Sequence, residues 1–229
     1  MSDHQKQIED LTQELVTQGT RVQRQLEASF EALFQRSSAK AAEAAKLDDE
    51  VDAVDVALEQ RAVSLLTGLT RTSSGVTEAE LRWILTIVKI NNELERIADA
   101  GVDVTAFVSQ DATNAFPETF RIMANSVIGV LRDVNASFAR KDAPLAKIVL
   151  QSQHAIARFK VEVVRDAEKK IAAGTMSVDF AFRLHEVAAL CELIADHCTN
   201  IAEQVIYAST GAIVRHTQAC WIETSRKPQ

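Results

Sequence analysis

INNELERIADAGVD, residues 90–103, is the stretch whose reading decides the fold. Glu95, Asp99 and Asp103 recur every fourth residue, which lines three carboxylates along one side of a helix. A related phrase, CELIADHCTNIAEQV, returns at residues 191–205, where Glu192, Asp196 and Asn200 keep the spacing. His185 and Glu203 fall on the same line. One helical phrase written twice, about a hundred residues apart, points to an internal duplication.

The surroundings read as helix throughout. Gly (7), Pro (3) and aromatic residues (5%) are scarce while Ala, Leu, Glu, Gln, Arg and Lys fill long periodic stretches, so the fold class is all-α. Breaker-rich segments at 34–40, 70–80, 109–118, 139–147, 172–180 and 207–216 leave six periodic segments between them. The expected helices span 5–36, 38–70, 77–109, 117–140, 142–173 and 177–208. Thr77 to Glu80 reads as a capping box, Gly75 and Gly174 suit helix ends, and Pro117 and Pro144 fit first turns. Helix lengths repeat between the halves, and FQRS (34–37) returns as FARK (138–141). Two tandem antiparallel three-helix bundles follow, the first at 1–112 and the second at 113–210, with a C-terminal tail at 211–229.

A formal net charge of −7 without a basic cluster disfavours nucleic acid and anionic membrane surfaces as partners. Three cysteines, Cys191, Cys198 and Cys220, without a CxxC pair suggest neither a disulfide framework nor a zinc ribbon, which makes the cytoplasm the expected compartment. The opening MSDHQKQIEDLTQEL has no apolar targeting segment, and no run of 18 uncharged apolar residues is long enough to span a bilayer.

The second helix carries its own line of acids: Asp48, Asp52, Asp55 and Glu59. Extended at the same spacing, this line passes through Ala41, Ala45, Val63 and Leu66, and that of the third helix through Leu81, Ile84, Val88 and Asn91. Both read as core-type stripes interrupted by acids. If the two helices are antiparallel about a turn near residues 74–76, positions whose numbers add to about 150 stand level. Asp55 then faces Glu95, Asp52 faces Asp99, and Asp48 faces Asp103. Opposed carboxylates lose hydration and repel, so protons or cations are needed between them. Magnesium, manganese and iron prefer such oxygen donors. A solvated acidic face is the plainer alternative, and Asp49 and Glu50, off the stripe, belong to one. In the second half the level positions near Ala157 and Gln153 are not acidic, and Lys160 is placed to neutralise Glu192.

These features together resemble the PhoU family. The resemblance rests on INNELERIAD (90–99), ELIADHCTNIAEQVIY (192–207), the run Asp48, Val51, Asp55, Glu59, and the ending Tyr207, Gly211, Val214, Arg215, His216. It implies two PhoU domains in a cytoplasmic, often homodimeric regulator without enzymatic activity. Such a protein would act with the phosphate ABC transporter ATPase and a sensor histidine kinase to restrain phosphate uptake and the phosphate-starvation response. It would reach the inner membrane through these partners rather than by insertion. It also implies metal-ion clusters of iron, magnesium, manganese or zinc, with Asp55, Glu59, Glu95, Asp99, Glu192 and Asp196 as ligand candidates on matching positions. Asp48, Asp52 and Asp103 join them from the stripe argument. Leu193 stands where the family motif has Arg, Asn200 where the first half has Asp103, and the fifth helix lacks acids.

Other residues have mainly structural expectations. His197 points away from the acid line, His185 is a candidate to face it, and Arg96 is expected to pair with a carboxylate on a neighbouring helix. Arg215 and His216 suit a helix-end contact, Trp83 core or interface packing, and Trp221 a subunit contact. Cys191 and Cys198 behave as small hydrophobes. Two other functions compete with the regulator. A carboxylate-bridged di-metal enzyme would use Glu-x-x-His, but no Glu here has a His three residues later. A plain helical adaptor would use its polar stripes to fix register and partner choice.

Overall fold

The computed structural model describes residues 2–71, 75–108 and 115–214, and among them six helices and no strand. They are α1 (Asp3–Gln35), α2 (Ser38–Arg71), α3 (Glu78–Thr105), α4 (Glu118–Ala139), α5 (Ala143–Ala172) and α6 (Val178–Thr210). Ends fall within two residues of those expected, except that α3 stops at Thr105. Residue 109, Arg215, His216, Cys220 and Trp221 lie outside the described residues. Among the described residues no helix is long and apolar enough to cross a membrane.

Local chemistry sets the helix starts. The Thr77–Glu80 capping box forms: Glu80 N donates to Thr77 Oγ1 (3.2 Å), and Thr77 N to Glu80 Oε2 (2.8 Å). Ser2 and Gln5 form a second box at α1, while Asp142 and Ser177 cap α5 and α6. The ends also repeat: Ser37 N donates to Ala32 O (2.9 Å) and Asp142 N to Ser137 O (2.8 Å). In both turns the preceding residue is left-handed, Arg36 with φ 55° and Lys141 with φ 54°. One reverse turn is thus used twice, one residue out of step with the echo of FQRS in FARK, since Arg140, which matches Arg36 there, is right-handed with φ −97°.

Within the first unit α1, α2 and α3 pack on each other, and in the second α4, α5 and α6 do the same. The units meet through α1 on α4 and α3 on α6, leaving α2 and α5 on the outside. Their apolar residues form one continuous core. Gln18 Nε2 donates to Val51 O and Gln25 Nε2 to Ala98 O, each at 2.8 Å, which fixes α1 in register against α2 and α3. Gly101 is needed beside Gln25, because a Cβ there would stand 2.5 Å from Gln25 Oε1. Gly19 serves the other interface, where Asn135 Nδ2 donates to Gly19 O at 2.8 Å.

Trp83 joins the units. It is 7% exposed, stacks on Phe138 of α4 at 5.4 Å between ring centroids, and donates from Nε1 to Thr12 Oγ1 at 2.8 Å. Trp83→Ala should therefore lower unfolding free energy by about 3–5 kcal/mol, the usual cost of emptying a buried aromatic site. Thr77→Ala, which removes a cap, should cost about 1 kcal/mol. Urea unfolding of the two variants checks the difference, and equal small losses would contradict the role given to Trp83.

Candidate functional site

The acids of α2 and α3 line the groove between these two helices, at the edge of the core rather than within it. On α2 the buried line is Ala44, Leu47, Val51, Leu58, Ala62 and Leu65, one position displaced from the acids. Asp48 and Asp55 are half-buried, whereas Asp52 and Glu59 are exposed. On α3 Glu95 is half-buried, and Asp99 and Asp103 are exposed. The expectation of one continuous core stripe is corrected here: Ala45 and Val63 are exposed, Val63 by 55%. The line alternates steps of three and four residues and so keeps pace with the 3.6-residue turn; it runs parallel to the buried line but is rotated to the solvent side of it, which leaves Ala45 and Val63, five turns apart on one azimuth, outside the core.

The two helices nevertheless bring their acids near one another: Asp99 and Asp103 act on Asp48, and Asp55 and Asp52 on Glu95. Asn91 Nδ2 of α3 donates to Asp55 Oδ1 (2.7 Å) and Asp55 O (3.1 Å) of α2, which pins the register. Burial, then the charges of Asp52, Asp99, Asp49 and Asp103, push the Asp48 carboxyl up to about 6. Burial, then Asp99, Asp55 and Asp52, raise Glu95, against a smaller opposing effect of Arg96. Asp55 is raised by burial, Glu59 and Asp52, while its bond from Asn91 opposes this. Asp48 Oδ1 is buried and accepts no hydrogen bond from a described residue. Such an oxygen suits a hard cation by its chemistry. The side chains stand apart, however: among the described residues, no three His, Cys, Asp or Glu groups converge closely enough to hold a metal ion.

The second unit is different. Lys160 Nζ of α5 lies 2.5 Å from Glu192 Oε2, the ion pair expected from the sequence, and Gln153 Nε2 donates to Asp196 Oδ1 at 2.6 Å. These carboxylates are already partnered, so this half does not fit a multinuclear metal site. His185 does not join them. It sits two turns before Glu192 in a cleft of about 390 Å³ lined by Val163, Ile171, Val178 and Phe182. Glu203 borders a small polar pocket with Lys89 and Tyr207.

Two placements were not foreseen. Glu93 of α3 reaches across the unit interface, where His197 Nδ1 stands 2.7 Å and Asn200 Nδ2 3.0 Å from its Oε2. Burial opposes ionisation of Glu93, but the hydrogen bonds from His197 and Asn200 outweigh it and hold the carboxyl below its ordinary range. The contact of α3 with α6 makes this cluster, and no spacing within one helix signals it. Arg96 donates to Asn92 Oδ1 (3.3 Å) one turn back instead of pairing with a neighbouring helix, because its position faces solvent. Cys191 and Cys198 are fully buried, and burial pushes the Cys191 thiol up to about 12 and the Cys198 thiol up as well.

Asp48 gives the site a pH signature. The folded protein holds the Asp48 proton more tightly than the unfolded chain, so stability from this group falls as pH rises from about 4 to about 6 and then levels off. In the presence of a chelator, Asp48→Asn should melt at a higher temperature than the parent above pH 6 or so, the difference closing below about pH 4. Thermal melts of both proteins across this range check it, and a variant no more stable than the parent at neutral pH would contradict it.

The family model described as PhoU domain matches residues 15–108 and 120–205. A phosphate-specific transport system accessory protein PhoU homolog of Aquifex aeolicus is 28% identical over 214 residues, covering 92% of this chain and 95% of its own. The homolog 1 of Thermotoga maritima is 25% identical over 194 residues, covering 83% and 82%. The fold is shared with crystal structures of PhoU from Pseudomonas aeruginosa (TM-score 0.81, 24% identity, 91% of this chain and 99% of that one) and of the regulatory protein PhoU from Streptococcus pneumoniae (0.82, 19%, 93% and 99%). With both halves matched in order, the chain belongs to the PhoU family.

Proposed function

We propose that this chain is a non-enzymatic, cytoplasmic regulator of phosphate uptake and of the phosphate-starvation response. It acts with the phosphate ABC transporter ATPase and a sensor histidine kinase, as a homodimer, and binds metal ions through the carboxylates of its first unit. The observation that carries the metal part is the placement of Asp48, Asp52 and Asp55 on α2 beside Glu95, Asp99 and Asp103 on α3, where Asp99 and Asp103 help to raise Asp48, and Asp55 and Asp52 help to raise Glu95. The relatives' description as phosphate-specific transport system accessory proteins supports the regulatory part.

The residues that would hold the ion are Asp48, Asp52, Asp55, Glu59, Glu95, Asp99 and Asp103. A bound cation would supply positive charge where these side chains repel, joining α2 to α3. The chain's own part is positional. Asn91 anchors Asp55, and the buried line from Ala44 to Leu65 holds α2 at its height. Of the candidates in the second unit, Glu192 and Asp196 are engaged by Lys160 and Gln153 and are not assigned to the centre.

Chelated protein should gain thermal stability on titration with manganese, magnesium, zinc or iron, about 2.7 kcal/mol at a hundredfold excess over the dissociation constant. Asp55→Asn/Glu95→Gln/Asp99→Asn should lose that gain and be more stable than the parent in chelator. A parent that none of these ions stabilises would contradict the metal reading. For the regulatory reading, a strain lacking the chain should take up radiolabelled phosphate faster in phosphate-rich medium, and the chain should co-purify with the transporter ATPase. Unchanged uptake and no co-purification would contradict it. A plain adaptor would keep its capture of the ATPase in the triple amide variant.

A further inference from the structure

We infer that the second unit carries a tethered ammonium where the first would carry a metal ion, so that Lys160 confines cation binding to one half of the molecule. This rests on the metal reading of the first unit. By the internal repeat, Glu192 corresponds to Glu95 and Asp196 to Asp99. The elements opposite them differ. α2 offers Asp48, Asp52 and Asp55, whereas α5 offers Gln153 and Lys160.

One oxygen of each carboxylate is already engaged. Lys160 Nζ stands 2.5 Å from Glu192 Oε2, with the two side chains 23% and 34% exposed, so the pair is partly sheltered from screening water. Gln153 Nε2 donates to Asp196 Oδ1 at 2.6 Å. The third position of the repeat is lost as well: Asn200 replaces the carboxylate of Asp103 and donates to Glu93 across the unit interface at 3.0 Å. A divalent ion entering here would have to expel an ammonium that cannot diffuse away, and would find two carboxylates in place of the tiers between α2 and α3. A covalently held amine has no entropy of binding to lose, and it cannot be removed by a chelator. The second bundle therefore keeps its α5–α6 contact in all metal conditions, while the α2–α3 contact responds to metal supply. The asymmetry makes one half of the duplicated fold constitutive and the other conditional.

The test is manganese content of the full chain after chelation, equilibrium dialysis against manganese and elemental analysis. Glu192→Gln/Asp196→Asn should retain the parent's manganese, and Asp55→Asn/Glu95→Gln/Asp99→Asn should lose it. Gln153→Asp/Lys160→Glu should gain manganese over the parent, and should still bind it when combined with the triple amide change. Loss of manganese in Glu192→Gln/Asp196→Asn, or its retention in the triple variant, would overturn the inference, and these amide changes are nearly isosteric, so the answer does not depend on the charge-adding variant folding. If the parent binds no manganese but Gln153→Asp/Lys160→Glu does, the metal reading of the first unit falls and the role of Lys160 stands; if neither binds, both fall.

Discussion

The decisive constraint is the confrontation of like charges across α2 and α3. Two unit charges 4 Å apart repel by about 1 kcal/mol in water and about 4 kcal/mol near a protein surface. Burying one large apolar side chain returns about 1.5–3 kcal/mol. Leu47, Val51, Leu58 and Leu65 on α2 and Ile84, Ile87, Leu94 and Ile97 on α3 are all buried, so the core has ample strength to hold repelling groups in place. The acids do not choose their positions; the hydrophobic faces beside them do. Burial first, and then the neighbouring charges, push the Asp48, Asp55 and Glu95 carboxyls toward protonation.

The duplicated architecture explains why one groove can hold several opposed carboxylates while its counterpart holds two, one of them paired with an ammonium. Both units use the same reverse turn, and the same antiparallel hairpin between the second and third helices of each. Only a few side chains differ at matching heights: Gln153 and Lys160 face the second pair of acids, and Asn200 turns toward Glu93. The scaffold is thus indifferent to what its grooves hold. The contact of α3 with α6 places Glu93 and His197 at the joint between the units, and Trp83 joins it from α3 by stacking on Phe138 of α4.

Much of this was legible in the sequence because it depends on local rules. Helix starts were readable from Thr77 and Glu80 and from the prolines, since capping chemistry lies within four residues. The level of Asp55 with Glu95 was readable because a short hairpin leaves little freedom in register. The Lys160–Glu192 pair followed from the same arithmetic. What could not be read depends on contacts between distant elements or on accumulated geometry. The acid line of α2 runs beside the buried line rather than on it, a rotation that periodicity alone does not fix, and this put Ala45 and Val63 in solvent. Arg96 lacked a partner on a neighbouring helix because its azimuth faces outward, and Glu93 found one because α6 passes over it. Gln18 and Gln25 look like surface residues in sequence, yet each is buried with its amide on a backbone carbonyl of another helix.

The most direct measurement is anomalous diffraction from crystals of the chain grown with manganese. The account predicts anomalous density between α2 and α3, among Asp48, Asp52, Asp55, Glu95, Asp99 and Asp103, with the carboxylates drawn inward onto it. Density between α5 and α6 at Glu192 and Asp196, or an α2–α3 groove whose acids point to solvent at saturating manganese, would contradict it.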